Sequence, residues 1–363
     1  MKLTDLAPPY IRNIAPYQPG KPISELEREL GLTGIIKLAS NENPLGASPA
    51  ALKAVQAELG QLALYPDGNG FVLKSALARK FGVNPDGIVL GQGSNEVLQL
   101  VVRAFMTPAH SAVYSQYAFA VYPLEVQAVG ARGIEVPARN FGHDLHAMRA
   151  AIDSTTRLVF VANPNNPTGT LAAADQILAF LAAVPKQVLV VLDEAYTEYL
   201  PPAMRYDSFG WLKQFPNLVI SRTFSKAYGL AGLRVGYALA HPAVADLMNR
   251  IRPPFNVNSL ALAAAAAALE DDAFLARSFQ VNMAGLAQLS QGFDKLGLSY
   301  IRSVGNFMAV RVGDGAAVYQ RLLKCGVIVR PVANYGMPEY LRVTVGLPEQ
   351  NDKFLSALER SLQ

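Results

Sequence analysis

The sequence predicts an α/β protein whose core is a largely parallel β-sheet packed between helices. Three short apolar runs, at 157–162, 187–192 and 217–222, each stop at polar residues, and a fourth run spans 235–240. Strands that are almost continuously apolar are buried on both faces, as in parallel sheets covered by helices. A helix-forming stretch at 172–184 separates two of these runs and fits as a crossover helix.

The order of these segments predicts two domains and an N-terminal arm. Residues 1–30 are the predicted arm, because its first part is rich in proline and aromatic residues and lacks a helical period. The large domain, at 58–257, contains the four strand-like runs. We expect a smaller α+β domain at 31–57 and 258–363. Its predicted elements are an alanine-rich helix at 259–269 and strands at 326–330 and 341–345.

The composition indicates a soluble, cytoplasmic protein. A chain of 363 residues is long enough for two domains with a core each. The single cysteine, Cys325, excludes an internal disulfide framework. The first residues contain no apolar signal-peptide segment, and the longest apolar run, at 260–269, is far shorter than the roughly 20 residues of a membrane span.

Charge and histidine content argue against nucleic-acid, membrane and metal binding. The net charge is +4, and the basic residues are dispersed without a basic run interleaved with aromatics. Of the four histidines, only His143 and His146 lie close together in the sequence, and no cysteine or carboxylate cluster accompanies them. We therefore expect no metal site.

Polar residues follow three successive predicted strands. Asn163 follows the first strand, Asp193 the second and Thr223 the third. In open α/β sheets, ligands bind beyond the carboxyl ends of the strands. We therefore expect the functional site at this edge of the sheet.

Lys226 is the candidate for covalent chemistry. On its own, a lysine after a strand is usually a solvated surface residue. Here Thr223 and Ser225 precede it, and Arg234 follows eight residues later. A lysine that forms a Schiff base must be partly desolvated, and a phosphate requires hydroxyl donors, backbone N–H groups and a guanidinium. This segment therefore combines the requirements of an amine nucleophile and a phosphate site.

Asp193 has two interpretations. An isolated aspartate at the end of a strand often caps the following helix. Alternatively, its carboxylate faces a pyridine nitrogen and keeps the ring protonated, so that the ring accepts electrons from a substrate carbon. Tyr196 and Asn166 could then reach a ring oxygen, although the segment 163–169 around Asn166 is by itself only a turn.

A glycine-rich segment at 91–96 follows a strand-like run at 87–90 and opens a predicted helix at 97–105. The N-terminus of a helix with small residues binds anions through backbone N–H groups, and an ordinary helix cap at Ser94 is an equal alternative. The segment lacks the third glycine of the dinucleotide-binding motif, which argues against a nicotinamide-dependent dehydrogenase.

Seven segments occur in the order found in one enzyme family, namely Ala39–Gly46, Tyr65–Asp67, Gly91–Glu96, Asn163–Gly169, Asp193–Tyr196, Ser225–Ala227 and Leu341–Gly346. Through them the chain resembles, over nearly its whole length, the histidinol-phosphate aminotransferase family. This family belongs to the fold-type-I aminotransferases, which depend on pyridoxal 5'-phosphate (PLP). The resemblance implies their fold, with a large domain built on a mostly parallel sheet and a smaller α+β domain.

The resemblance implies catalytic and cofactor-binding roles for individual residues. Lys226 carries PLP as a Schiff base, Asp193 pairs with the pyridine nitrogen, and Tyr196 and Asn166 reach the ring oxygen O3′. Tyr117 stacks on the ring face. The residues implied to hold the phosphate are Ser94, Asn95, Thr223, Ser225 and Arg234.

The resemblance also implies how the substrate and a second subunit are recognised. Arg342, helped by Arg330, binds the anionic group of the substrate, and Tyr17 on the arm closes over it. Tyr65 reaches the phosphate of the neighbouring subunit's cofactor, which implies a homodimer.

Two positions depart from the family's pattern. Asn95 stands where many relatives have aspartate. Ser115 and Gln116 stand where many relatives have Pro-Thr before the stacking tyrosine, so Tyr114 is an alternative to Tyr117.

The expected reaction moves an amino group between L-histidinol phosphate and 2-oxoglutarate, giving imidazole-acetol phosphate and glutamate, in histidine biosynthesis. The same residues also fit an aromatic amino acid aminotransferase acting on phenylalanine or tyrosine. A PLP-dependent decarboxylase or lyase of a phosphorylated amino acid is a further alternative. A non-catalytic regulator would require an added DNA-binding domain, for which the chain has no room.

Overall fold

The computed structural model describes residues 2–17 and 19–363. The strands, numbered along the chain, are β1 (Ile36–Lys37), β2 (Ile88–Gly91), β3 (Ser111–Ser115), β4 (Arg132–Val136), β5 (Thr156–Ala162), β6 (Leu189–Asp193), β7 (Leu218–Thr223), β8 (Gly236–Ala240), β9 (Tyr300–Ile301), β10 (Phe307–Arg311), β11 (Val327–Ile328), β12 (Arg330–Pro331) and β13 (Tyr340–Thr344).

The α-helices are α1 (Pro9–Arg12), α2 (Ile23–Leu30), α3 (Pro49–Glu58), α4 (Phe71–Phe81), α5 (Gly93–Phe105), α6 (Val121–Ala128), α7 (Leu145–Ala150), α8 (Ala174–Ala183), α9 (Ser208–Trp211), α10 (Pro242–Ile251), α11 (Ser259–Leu269), α12 (Asp272–Lys295), α13 (Gly315–Lys324) and α14 (Pro348–Leu362). Short 3-10 turns lie at Leu3–Leu6, Leu59–Gln61, Pro85–Gly87, Thr197–Tyr199, Pro202–Met204, Ala231–Leu233 and Ala333–Tyr335.

The large domain is built on a seven-stranded sheet of order β2-β8-β7-β6-β5-β3-β4. Strands β3 to β7 pair in parallel, whereas β8 runs antiparallel to both of its neighbours. The predicted α/β class with a largely parallel sheet is confirmed. Of the four strand-like runs, only the fourth, which became β8, runs against the others.

Both faces of this sheet are buried, which explains the nearly continuous apolar runs. Along β5, Val159 and Val161 pack into one hydrophobic core, while Leu158 and Phe160 pack into a second core on the opposite face. Side chains alternate between the faces of a strand, so a strand covered by helices on both sides requires an apolar residue at every position.

The smaller domain contains an antiparallel sheet of order β12-β13-β10-β9. Helices α12 and α14 contribute Leu289, Phe293 and Phe354 to its core, where they pack with Val310 and Leu341 from the strands. This arrangement of helices on an antiparallel sheet is the α+β organisation that the sequence predicts.

Two helices of the expected small domain share the hydrophobic core of the large sheet. The expected small domain included 49–57 and 258–269, yet Ala51 of α3 and Ala261 and Ala265 of α11 are buried in the core of the large domain. Alanine side chains let α11 approach α3 and α4 closely, and these helices share one hydrophobic core with the large sheet. We therefore propose a large domain that includes both helices.

The N-terminal arm is more regular than predicted. Its first part lacks a helical period in the sequence, but it contains the 3-10 turn Leu3–Leu6 and helix α1. The amide of Gln127 on α6 donates a hydrogen bond of 3.3 Å to the carbonyl oxygen of Tyr10. Packing against α6 therefore stabilises a short helix that has no periodic pattern in the sequence.

The segment that follows the arm connects the two domains. Strand β1 pairs in parallel with β11 of the smaller domain, and the backbone N–H of Asn41 donates to the Thr344 hydroxyl at 2.9 Å. The chain then enters α3 of the large domain. Residues 39–43, which we call the strap, consequently lie where both domains meet the carboxyl ends of β5, β6 and β7.

Within the described part of the chain, none of the helices combines the length and the apolar character needed to cross a membrane. Among the same residues, no group of three or more histidine, cysteine, aspartate or glutamate side chains is arranged to hold a metal ion.

Candidate active site

A cavity of about 180 Å³ opens at the carboxyl ends of the central strands, between the two domains. Ala162 and Asp193 lie side by side at the ends of β5 and β6, and Ser221, near the end of β7, lies on the other side of Asp193. All but two of the site residues expected from the sequence line this cavity, namely Tyr17, Ser94, Asn95, Asn166, Asp193, Tyr196, Thr223, Ser225, Lys226, Arg234, Arg330 and Arg342. Tyr65 and Tyr117 are the exceptions.

Lys226 lies just beyond β7 on the floor of the cavity. Its Nζ donates a hydrogen bond of 2.9 Å to the carbonyl oxygen of Ser40 in the strap. Burial, reinforced by the positive charge of Arg342, lowers the pKa of Lys226 to about 7. At neutral pH a large fraction of this amine is therefore unprotonated and nucleophilic.

Asp193 ends β6 and is almost fully buried. The hydroxyl of Tyr122 donates to its Oδ2 at 2.7 Å, whereas Oδ1 is buried and has no hydrogen-bond partner among the described residues. Burial raises the pKa of Asp193 to about 6, although the Tyr122 hydrogen bond and the backbone N–H of Ala195 oppose the rise. The carboxylate can therefore still accept a hydrogen bond from a ligand.

The neighbouring acidic residue, Glu194, does not contribute its carboxylate to the cavity. Its Oε2 accepts hydrogen bonds from Arg222 at 2.7 Å and from the Ser208 hydroxyl at 2.9 Å. The Arg222 guanidinium in turn lies 4.0 Å from the ring centroid of Phe209. Because successive residues point to opposite faces of a strand, Asp193 faces the ligand while Glu194 is neutralised within the core.

Tyr196 is held by the strap. The side-chain amide of Asn41 donates to the Tyr196 hydroxyl at 2.9 Å, and Asn41 also accepts a hydrogen bond of 3.1 Å from the Thr344 hydroxyl. Burial raises the pKa of Tyr196 to about 12, so its hydroxyl keeps its proton at neutral pH. Asn41 thus connects a cavity residue of the large domain to β13 of the smaller domain.

An anion site lies at the N-terminus of α5. Gly93 has a φ of +77°, and a Cβ at this position would lie 2.6 Å from a guanidinium nitrogen of Arg234. Arg234 itself has a left-handed φ of 55°, which is unusual for a residue other than glycine and is found mainly at functional sites. Absence of a side chain at Gly93 therefore lets the guanidinium approach the helix N-terminus, where backbone N–H groups favour negative charge.

Hydroxyl and amide side chains complete this anion site. Ser94 and Asn95 lie in the first turn of α5, and Thr223 and Ser225 follow β7. An Arg234 nitrogen donates to the Ser225 hydroxyl at 3.4 Å, and the backbone N–H of Ser225 donates to the Thr223 hydroxyl. Two elements that are distant in sequence therefore converge on one position suited to a phosphate.

Arg342 lies on β13 on the wall formed by the smaller domain. Its guanidinium donates to the Asn166 side chain at 2.6 Å and to the Ala39 carbonyl oxygen at 2.8 Å, and its Nε is buried without a partner. In residues 2–17 and 19–363, no carboxylate forms an ion pair with it. A buried cation satisfied only by neutral acceptors is suited to an anionic ligand.

Arg330 and Tyr17 border the same part of the cavity. The Arg330 guanidinium lies 5.2 Å from the ring centroid of Tyr17 on the arm. Together with Tyr335 they also border an adjoining cleft of about 750 Å³ between the arm and the two domains. The arm therefore forms one side of the route from solvent to the cavity.

Tyr117 was expected to stack on the cofactor ring, but the structure places it outside the cavity lining. Its ring packs on Phe141 with a centroid distance of 5.7 Å, within an apolar cluster between the two domains. Phe119, two residues further along the chain, lines the cavity and meets the Tyr122 ring edge-on at 5.9 Å. Of Tyr114, Tyr117 and Phe119, only Phe119 lines the cavity.

Tyr65 is far more exposed than the other expected site residues, with 83% of its surface accessible. Its ring stacks on Phe255 at a centroid distance of 4.8 Å. Several large apolar side chains near Tyr65 in the sequence are also exposed, as is Phe255. We call this set the exposed apolar face, and it consists of Leu62, Leu64, Tyr65, Phe71, Val72 and Phe255.

The sequence did not indicate three residues that shape the cavity, namely Asn41, Phe119 and Tyr122. Asn41 lies within the segment 39–46, but nothing in that segment shows that its amide reaches Tyr196. Tyr122 lies on α6, 71 residues before the carboxylate it contacts. Single amide or aromatic side chains in such positions have no spacing signature, so only the fold reveals their partners.

Known proteins resemble this chain over its whole length. The family model for aminotransferase class I and II matches residues 33–358. The histidinol-phosphate aminotransferase of Methylobacillus flagellatus is 62% identical over 364 residues, covering 100% of this chain and 99% of that protein. Histidinol-phosphate aminotransferase 2 of Nitrosospira multiformis is 61% identical over 366 residues, covering 100% of this chain and 93% of that protein.

Solved structures show the same fold. The crystal structure of histidinol-phosphate aminotransferase from Sinorhizobium meliloti in complex with pyridoxal-5'-phosphate has a TM-score of 0.89 and 30% sequence identity. The two structures match over 98% of this chain and 96% of the Sinorhizobium meliloti chain. A Thermus thermophilus aspartate aminotransferase mutant, at 22% identity and a TM-score of 0.84, shares the fold.

Proposed function

Because the chain belongs to the aminotransferase class I and II family, we propose that it is a PLP-dependent transaminase that uses Lys226 as the cofactor-binding amine. We further propose that it transfers an amino group between L-histidinol phosphate and 2-oxoglutarate, as part of histidine biosynthesis. The observation that carries the proposal is the convergence of three groups on one cavity. These are the amine of Lys226, the buried carboxylate of Asp193 and the anion site at Arg234.

The cavity fits PLP at both ends of the cofactor. Asp193 Oδ1 is a buried acceptor without a partner in the described structure, as a protonated ring nitrogen requires. At the other end, Gly93 leaves room beside Arg234 at a helix N-terminus, as a phosphate requires. Lys226 lies between these two ends on the cavity floor, where it would reach the aldehyde carbon.

Individual residues would hold the remaining parts of the ring. Tyr196 and Asn166 line the cavity and would reach the ring oxygen O3′. Phe119 would cover one ring face, since it is the aromatic residue of the turn after β3 that borders the ligand space. When bound, PLP supplies an aldehyde that links to amines and an electron-poor ring that accepts electron density from a substrate carbon.

Lys226 would also move the proton in the reaction. With a pKa of about 7, the Lys226 Nζ can accept a proton from the substrate carbon that bears the amino group. The same amine can then deliver the proton to the cofactor carbon that carries the aldehyde. Asp193 would keep the ring nitrogen protonated, and Tyr196, with a pKa of about 12, would keep its hydroxyl proton throughout. The proposed reaction therefore depends on burial of these residues as well as on their charges, because burial sets their pKa values.

The substrate anion would bind between Arg342 and Arg330. Histidinol phosphate carries a phosphate and no carboxylate, whereas glutamate carries carboxylates, so one pocket must accept both groups in turn. A guanidinium donates two parallel hydrogen bonds to either group. The unpaired Nε of Arg342 and its lack of a carboxylate partner in the described structure support this dual use.

A substrate comparison tests the proposed specificity. Glutamate formation from 2-oxoglutarate should show a higher kcat/KM with L-histidinol phosphate than with phenylalanine under identical conditions. A preference for phenylalanine would assign the chain to aromatic amino acids, and loss of CO₂ without glutamate formation would indicate a decarboxylase.

Replacing Arg342 by methionine should raise KM for both anionic substrates far more than replacing it by lysine.

We also propose that the protein acts as a homodimer assembled through the exposed apolar face. Phe71 and Val72 each expose 68% of their surface, and monomeric proteins rarely leave large apolar side chains clustered in water. Tyr65 lies in this face and would supply its hydroxyl to the phosphate held by the other subunit. Burial of this face and completion of the site would then occur together.

A further inference from the structure

Tyr122 makes the only side-chain hydrogen bond that Asp193 receives within the described residues. Its hydroxyl donates to Oδ2 at 2.7 Å, and both residues are buried. The Tyr122 ring stacks on Phe160 of β5 with a centroid distance of 4.6 Å and an interplanar angle of 9°. The ring is therefore fixed by packing, while the hydroxyl is fixed on the carboxylate.

This contact makes the two carboxylate oxygens of Asp193 unequal. Oδ2 is occupied by Tyr122, whereas Oδ1 is buried and without a partner in the part of the chain that is described. A carboxylate with a free side-chain torsion could present either oxygen or rotate between them. With Oδ2 held, Oδ1 is the oxygen that is available to a ligand in the cavity.

We propose that Tyr122 is a positioning residue that orients Asp193 so that Oδ1 receives the hydrogen bond of the protonated ring nitrogen of PLP. This inference rests on the proposed function, because it assigns Tyr122 a role toward the same cofactor. Tyr122 acts through Asp193, and its hydroxyl contributes to the preference of the site for a pyridine ring over a ring without the nitrogen.

The charges around Asp193 support this role. Burial raises the pKa of Asp193, and the Tyr122 hydrogen bond acts against that rise, as do the backbone N–H of Ala195 and the charge of Lys226. Glu194 favours the rise, although its carboxylate is paired with Arg222. Burial and the nearby Asp193 raise the pKa of Tyr122 well above its usual value, so this hydroxyl remains a proton donor.

Tyr122→Phe tests the inference because it removes the hydroxyl and keeps the ring that packs on Phe160. Tyr199→Phe is the matched control, since Tyr199 is equally buried and its hydroxyl makes no hydrogen bond to a carboxylate in the structure. The measured quantity is the affinity of each apoprotein for PLP and for its 1-deaza analogue, in which a C–H group replaces the ring nitrogen. The ratio of the two affinities isolates the interaction with Asp193.

Wild type and Tyr199→Phe should bind PLP more tightly than the 1-deaza analogue by the same ratio. Tyr122→Phe should reduce this ratio roughly tenfold, the size of one hydrogen bond to a charged group. In an Asp193→Asn background, the ratio should be near one and Tyr122→Phe should not change it further. The loaded Tyr122→Phe enzyme should also lose kcat with little change in KM.

Three results would overturn the inference while leaving the proposed function intact. The first is an unchanged ratio of the affinities for PLP and the 1-deaza analogue in Tyr122→Phe, and the second is an equal loss of affinity for both compounds. The third is failure of Tyr122→Phe to fold. Each result would mean that the Tyr122 hydroxyl either supports only the fold or has no role in orienting Asp193. If wild-type apoprotein bound neither compound, or bound PLP without modification of Lys226, the proposed function itself would fail. The two failures are therefore distinguishable.

Discussion

The amine of Lys226, which follows the central strand β7, donates a hydrogen bond of 2.9 Å to the carbonyl oxygen of Ser40 in the strap. The residues are separated by 186 positions in the sequence. In the same strap, Ala39 accepts a hydrogen bond from Arg342 and Asn41 donates one to Tyr196. A short segment between the domains thus holds Lys226, Arg342 and Tyr196 in fixed relative positions.

Replacing Lys226 by alanine should abolish the visible absorption of bound cofactor and reduce transamination by roughly 10⁴-fold or more, because both the amine and the proton carrier are lost. Absorption spectra and glutamate formation measure the two effects. Lys186→Ala, at an exposed lysine before β6, is the control and should behave like wild type. Transamination retained in Lys226→Ala would contradict the assignment.

The low pKa of Lys226 predicts how its reactivity depends on pH. Because only the neutral amine reacts, acetylation of Lys226 in the apoprotein should increase as the pH rises through about 7 and level off above it. Arg342 lowers this pKa by its charge, so Arg342→Met should move the midpoint upward, while Arg342→Lys should leave it nearly unchanged. Competitive labelling with acetic anhydride and mass spectrometry measures the midpoint, and a wild-type value near 10 would refute the argument.

Asp193→Asn should stabilise the apoprotein even though it removes function. The folded chain binds the Asp193 proton more tightly than the unfolded chain, with a pKa of about 6 against an ordinary value of 3.8. The contribution of Asp193 to stability is therefore present below pH 4 and is lost as the pH rises through 6. At pH 8 the variant should gain on the order of 2 kcal/mol in unfolding free energy, and less at pH 5.

Urea unfolding of the apoprotein at these two pH values measures the effect of Asp193→Asn. Asp294→Asn, at an exposed position in the last turn of α12, serves as the control and should change the unfolding free energy by less than about 0.5 kcal/mol. An Asp193→Asn variant that is less stable than wild type at pH 8 would show that the buried carboxylate stabilises the fold.

Phe119→Ala should weaken PLP binding roughly tenfold, because the ring loses its aromatic contact. Tyr117→Ala should leave the affinity nearly unchanged, since Tyr117 packs on Phe141 outside the cavity. Fluorescence titration of the two apoproteins with PLP compares them directly. The opposite order of the two effects would identify Tyr117 as the stacking residue.

A charge in the exposed apolar face should separate the proposed dimer. Phe71→Asp should yield monomers with strongly reduced activity, because an aspartate side chain opposes burial of the face and Tyr65 then reaches no second site. Leu30→Asp, at an exposed leucine outside this face, should remain dimeric. Sedimentation velocity measures the mass, and a Phe71→Asp dimer of full activity would place the interface elsewhere.

Local patterns in the sequence were sufficient to predict the central part of the fold. Apolar runs ending at Asn163, Asp193 and Thr223 became the parallel strands β5, β6 and β7, because burial on both faces requires continuous apolar residues. The alanine-rich stretch at 259–269 became α11 with the predicted bounds. Its packing into the core of the large sheet could not be predicted, since an alanine-rich helix packs closely against either domain equally well.

The sequence by itself determined which chemical groups meet at the cavity, because a lysine, an aspartate and hydroxyl groups placed directly after buried strands gather at one edge of a parallel sheet. Tertiary structure alone decided which aromatic ring faces the cavity, which tyrosine holds Asp193 and how the strap joins both domains. These contacts join residues as far apart as Asn41 and Thr344, separated by 303 positions, and depend on the direction of individual side chains. Side-chain direction is set by packing between elements, which no local pattern encodes.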